Sequence, residues 1–99
     1  MSKNVVRSTP ADALVVDVAT DSTTILSAPA VVYGVYINTA LSAHALPITD
    51  GATAKITIPA SAAAGTTYSW PFGVRFRTSL IVDPNDAATG NITVFWSAL

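Results

Sequence analysis

Short apolar runs, separated by turn-forming residues at steady spacing, recur along almost the whole chain. That pattern constrains the fold more than any other feature. The clearest run is Thr53 to Ile58 (TAKITI), where Ala54, Ile56 and Ile58 share one face and Thr53, Lys55 and Thr57 the other. A period of two residues belongs to a strand with one face buried and one in water. Val74 to Arg77 repeats it, with Val74 and Phe76 inward and Arg75 and Arg77 outward. Val31 to Asn38 (VVYGVYIN) is β-branched and aromatic, and its Gly34 suits a bulge or the close approach of another backbone. Further strands are expected at Ala13 to Ala19, Thr23 to Ser27, Leu46 to Thr49, Leu80 to Asp83 and Ile92 to Trp96, with Val5-Val6 opening another. Asp50-Gly51 supplies a hairpin turn and Pro84 to Gly90 a loop. Pro47 assigns its strand to a sheet edge, because proline has no N–H to give a ladder. About eight or nine short strands so spaced predict a single all-β domain, a sandwich or barrel. Helix is confined to two candidates of about one turn, Ala60 to Ala64 and Thr39 to His44.

The chain has 99 residues, enough for one domain with its own core. It has no Cys, and 11% of it is charged while 51% is hydrophobic. Without Cys there are no disulfides, thiolate zinc sites or thiol catalysis. A net charge of -1 gives no electrostatic reason to bind nucleic acid or an anionic membrane. No run approaches the roughly 20 apolar residues of a bilayer span. No signal-peptide pattern opens the chain, so folding in the cytosol is expected. The charged fraction falls well short of the 25% or so of ordinary soluble domains, so the exterior must be largely Thr, Ser, Ala and Asn. Either a tightly wrapped sandwich carries that exterior, or identical subunits cover part of the apolar surface; the second is the expectation.

Few residues could carry chemistry. His44 is the sole imidazole and lies near Ser42, but no G-x-S-x-G elbow exists and no orienting carboxylate is near in sequence. It is expected to bond to a loop backbone. Asp83, Asn85, Asp86 and Asn91 form an oxygen-rich cluster around Gly90, yet no Glu closes a calcium site, and Asp and Asn are ordinary turn residues. No catalytic, metal or cofactor site is therefore expected. Arg75 and Arg77 suit an anionic partner group; the alternatives are surface ion pairs with Asp17 or Asp83, or a charged face that discourages edge pairing. Tyr33 and Tyr36 differ in parity, so one faces the core unless Gly34 marks a bulge. Phe95 and Trp96 are adjacent, so one of them faces out. Tyr68, Trp70 and Phe72 bracket Pro71 in a loop or strand start. The candidate interface residues are Arg75, Arg77, Tyr68, Trp70 and Trp96, since Trp, Tyr and Arg anchor interfaces and aromatic rings stack on sugars.

Several segments resemble those of small virion proteins of tailed bacteriophages. They are Tyr36 to His44, Asp50 to Thr53, Ile58 to Gly65, Val74 to Pro84 and Thr89 to Val94. The resemblance implies a single compact antiparallel β-sandwich, jelly-roll-like, spanning residues 13–99. It implies a virion location on the capsid surface, as a capsid decoration (cement) protein bound to the major capsid protein and to itself, commonly as a homotrimer. The polar stretch Met1 to Asp12 would be an arm gripping a neighbour. No catalytic residue carries over.

Three functions compete. A cement protein buries apolar and backbone-pairing surface across capsid subunits. A tail- or head-surface binding module contacts a host receptor or carbohydrate through Tyr68, Trp70 or Trp96. A small hydrolase needs His44 to meet a carboxylate in a cleft. The first is the expectation, and the third is the least supported.

Overall fold

The computed structural model describes residues 11–99. The Val5-Val6 strand and most of the Met1 to Asp12 arm therefore lie outside the described residues. The described residues form eight strands: β1 (Asp12–Asp17), β2 (Thr23–Leu26), β3 (Ala30–Thr39), β4 (Leu46–Asp50), β5 (Thr53–Ile58), β6 (Thr67–Phe76), β7 (Leu80–Val82) and β8 (Asn91–Ala98). They make two four-stranded sheets, ordered β1-β8-β3-β6 and β2-β7-β4-β5. Every pairing is antiparallel. β1 lies on β8, β2 on β7, β3 on β6 and β4 on β5, as in a long hairpin bent at β4–β5 and rolled up. The order is jelly-roll-like, and the all-β sandwich expected from the spacing of the apolar runs is the fold.

The sheets bury one face each. Val16, Val32, Val35, Ile37, Phe76, Ile92 and Val94 come from the first sheet, and Leu46, Ile48, Ile56, Ile58, Leu80 and Val82 from the second. Inward side chains interdigitate across the roughly 10 Å that separates packed sheets. Phe76 is the largest fully buried side chain, and Val74 packs partly buried beside it, as their alternation with Arg75 requires. In β5 the alternation holds for Ile56 and Ile58, whereas Ala54 is exposed. A register shift between Ile48 and Thr49 places Ala54 opposite Thr49 and breaks the parity there.

Gly34 marks a bulge. β3 and β8 pair at Val32 with Trp96 and then at Gly34 with Phe95, so β3 spends two residues on one step of its partner. Val32 and Val35 consequently both point inward, and Tyr33 and Tyr36 share the outer face. A Cβ on Gly34 would stand 3.1 Å from the Tyr68 carbonyl oxygen, so the backbones approach closely there as well.

Three expectations are corrected. β4 is an interior strand, between β7 and β5. Pro47 is tolerated because the β4–β7 ladder covers only Ile48 and Thr49. The Pro47 carbonyl accepts from the Asp83 N–H on that side, just past the ladder's end, so its missing N–H leaves the β5 ladder intact. Neither Ala60 to Ala64 nor Thr39 to His44 is helical. Instead they bond to each other: the Leu41 N–H donates to the Ala62 carbonyl and the Ser61 N–H to the Ser42 carbonyl. Ser61 also has a φ of 60°, outside the right-handed helical region. Finally, β6 starts at Thr67 rather than Val74, and Arg77 lies in the turn after it.

Candidate interaction surface

β6 is an edge strand with an unusual interruption. It pairs with β3 at Val32–Val74 and next at Gly34–Ser69. Between those pairs β3 has Tyr33 alone, while β6 has Trp70, Pro71, Phe72 and Gly73. Pro71 has no N–H to offer a ladder, which favours leaving the pairing there. Gly73 closes the excursion at a φ of 80°, and a Cβ on it would fall 2.3 Å from Val31 Cγ1 and 3.2 Å from Tyr33 Cε1. Only glycine combines that dihedral with that proximity. Trp70 anchors the other end by packing partly buried against the core. Between the two anchors Phe72 is 99% exposed.

Each candidate interface residue has a clear place. Tyr68, Trp70 and Trp96 are partly buried and pack against the core. The Trp96 indole Nε1–H is buried with no hydrogen-bond partner. Phe95, on the other face of β8, is also partly buried. Arg75 and Arg77 are exposed, and neither has an ion-pair partner among the described residues. The aromatic side chain most open to solvent is Phe72, which the sequence reasoning left in a bracket around Pro71. The Trp-Pro-Phe-Gly string was the signal: an alternating strand broken by proline and closed by glycine.

The opposite edge of the same sheet is β1. Leu14 is 37% and Val15 62% exposed there, and Asp12 and Asp17 flank them, both exposed. The second sheet's edges are blunter. β2 has four residues and a register shift, and β5 carries exposed Lys55. Short strands, irregularities and lysine are devices that discourage edge pairing.

A carboxylate ties the two sheets at the end of the sandwich. Asp50, at the β4–β5 hairpin, accepts from the backbone N–H groups of Arg77 (2.9 Å), Thr78 (2.8 Å) and Ser79 (3.3 Å). The Gly51 N–H donates back to Ser79 Oγ at 3.0 Å. These bonds favour the ionised form, so the Asp50 carboxyl is held below the usual value, chiefly by the Arg77 and then the Thr78 N–H, with Lys55 adding a smaller charge effect.

The remaining polar residues make local bonds. His44 Nδ1 lies 3.2 Å from Ser42 Oγ, which also accepts from the Thr89 N–H at 3.0 Å. The Ser42 hydroxyl thus fastens the loop before β4 to the loop before β8. Asn85 Oδ1 accepts from the Ala87 N–H, and its carbonyl from the Ala88 N–H, forming a turn. Asn91 points its Oδ1 at Asn38 Nδ2, 2.7 Å away. Among the described residues no group of His, Cys, Asp or Glu is gathered as a metal site, and no helix is long and apolar enough to cross a membrane. The chain matches no family model, no curated protein and no solved structure.

Proposed function

We propose that this chain is a non-enzymatic structural protein of a phage virion, a capsid decoration protein that binds the major capsid protein shell as an oligomer. The observation that carries the reading is Phe72, almost wholly in water on a bulge fixed at both ends. Burying a phenylalanine ring is favourable by roughly 1.5 to 3 kcal/mol. Backbone already fixed on both sides of Phe72 adds little further ordering cost when a partner covers the ring, so only the side chain's own rotamers must be ordered. A standard interface buries about 1,600 Å² in all. Contacts repeated over a shell add through avidity, so each can be weak alone. The resemblance of the segments between Tyr36 and Val94 to phage virion proteins favours a particle as the partner, and a trimer is the stoichiometry that resemblance implies.

A cement protein must stabilise its shell. Heads of the encoding virus that lack the protein should release their DNA at a higher temperature once purified protein is added. A release temperature unchanged at saturating protein would reject the cement role. Binding without stabilisation would favour the alternative, a surface module that contacts a host receptor or carbohydrate, with Phe72 as its open ring.

A further inference from the structure

The outer face of the β1-β8-β3-β6 sheet carries apolar side chains where an antiparallel sheet is ordinarily polar. Residues alternating with the buried Val16, Val32, Val35, Ile92 and Val94 point outward. Val15, Thr93 and Tyr36 stand in one cross-strand row, Phe95 lies two residues along β8, and Val31 and Tyr33 extend the patch on β3. Val15 is 62% and Tyr36 39% exposed, while Val31, Tyr33 and Phe95 are partly buried.

Among the outward positions of these strands the charged residues are Asp17 and Arg75, and they occupy opposite corners. Asp17 lies on the β1 edge, paired with Asn91 of β8. Arg75 lies on the β6 edge, paired with Val31, which in turn pairs with Ser97 of β8. Six residues of β8 and three strand spacings therefore separate the corners, about 20 Å along the strands and about 14 Å across them. Both side chains are exposed, and neither has an ion-pair partner among the described residues.

We propose that this face is the interface of a two-fold dimer, in which Asp17 of each copy meets Arg75 of the other. A two-fold axis lying between two facing sheets exchanges points on either side of it. Set perpendicular to the Asp17–Arg75 diagonal at its midpoint, it lays each of these corners on the other. The same operation lays Val15 of one copy over Val31 and Tyr33 of the second. It leaves Tyr36 and Phe95 close to the axis, each near its own counterpart. One placement thus pairs both charges and covers the apolar side chains, as an isologous contact requires. Two polar neighbours are already bonded within the face: Asn38 Nδ2 donates to Asn91 Oδ1 at 2.7 Å and to Thr93 Oγ1 at 2.8 Å. Covering them leaves fewer groups unsatisfied. Four strands about 4.8 Å apart and the eight residues of β8 span about 500 Å² in plane. A standard interface takes about 800 Å² from each partner, so the dimer belongs at the weak end.

The inference gives the oligomer of the decoration reading an interface, and makes it two-fold where the resemblance implies three copies. Sedimentation velocity of the purified full chain, from about 10 to 200 µM, tests it. The wild type should approach the mass of two copies as concentration rises. Val15→Ser removes an apolar contact at two symmetry-related places and should weaken association by roughly 10- to 100-fold. Arg75→Asp sets carboxylates together at both corners and should weaken it too, and adding Asp17→Arg to that variant should recover it. Lys55→Glu, on the outer face of the other sheet, should leave association unchanged. Val15, Arg75 and Lys55 are exposed, so melting temperatures of these single variants should stay close to that of the wild type. Asp17→Arg also loses the bond that Asp17 Oδ1 accepts from the Ala19 N–H at 2.9 Å, so the double variant should melt slightly lower. A wild type that remains monomeric throughout overturns the proposal. So does a mass of three copies, association indifferent to Val15→Ser and Arg75→Asp, or a double variant that fails to recover. Dimerisation without shell stabilisation would sink the decoration reading and leave this interface standing, whereas shell stabilisation by a strict monomer would do the reverse.

Discussion

Replacing Gly73 with alanine tests whether the Phe72 bulge is rigidly seated. Two costs add at this position. A left-handed dihedral, here a φ of 80°, costs an alanine about 1 to 2 kcal/mol. The new Cβ would also stand 2.3 Å from Val31 Cγ1, so something must move. Val31 is β-branched, with few χ1 choices, and lies partly buried between Ser97 and Arg75 on the neighbouring strands. Forcing such a side chain aside costs roughly 1 to 3 kcal/mol. Gly51 provides the control: its φ is 60°, but nothing lies within 4 Å of the added Cβ. Gly51→Ala therefore meets the backbone cost alone, partly offset by the stiffer unfolded chain, for a net of about 1 kcal/mol. Gly73→Ala should lose about 3 kcal/mol. At roughly 4 to 8 °C per kcal/mol for a domain of this size, the melting temperature should fall about 12 to 24 °C, against about 4 to 8 °C for the control. Urea unfolding followed by circular dichroism gives both free energies, provided the transitions are two-state. Two variants agreeing within about 0.5 kcal/mol would show that the bulge is not pressed onto Val31, and the preorganisation of Phe72 would lose its basis.

Four further outcomes are expected. Phe76→Ala opens a cavity at the centre of the sandwich and should cost about 3 to 5 kcal/mol in the same assay. The Asp50 carboxyl is depressed in the folded state, so its contribution is present at neutral pH and is lost as pH falls below about 4. Asp50→Asn should lower the melting temperature at pH 7 and flatten the wild type's loss on acidification; an unchanged acid profile would contradict the assignment. Trp96→Phe removes a buried N–H that has no partner, so stability should change by less than about 1 kcal/mol despite the smaller ring. A much larger loss would mean the indole N–H is bonded after all. His44→Ala should leave self-association as it is and cost under about 1.5 kcal/mol, because its ring makes one local bond to Ser42.

Much of the sandwich was legible because strands with one buried face announce their period. Ile56 and Ile58, and Val74 with Phe76, point where their alternation places them. Gly34 was legible as a bulge position, and the bulge resolves the parity conflict between Tyr33 and Tyr36. What escaped depended on contacts between distant segments. Nothing local says that the Pro47 nitrogen looks past the end of a two-residue ladder, so proline read as an edge signal. The alanines of Ala60 to Ala64 have good helix propensity, but the Ser42 and Ala62 carbonyls capture the N–H groups of Ser61 and Leu41, respectively. Pro71 and Gly73 hid the continuity of β6, because strand propensity has no term for four residues leaving a ladder together. Phe72 was consequently weighed as one more loop aromatic, beside Trp70 and Trp96, which are partly buried against the core.

Counting copies on the particle tests the account most directly. On the proposed decoration reading, undecorated phage heads saturated with purified protein would be washed and analysed by quantitative mass spectrometry, in parallel for the wild type and for Phe72→Ser. The account predicts on the order of hundreds of wild-type copies per head, in a fixed ratio to the major capsid protein, and a large loss for the variant. A handful of copies or none, or equal occupancy by both proteins, would contradict it.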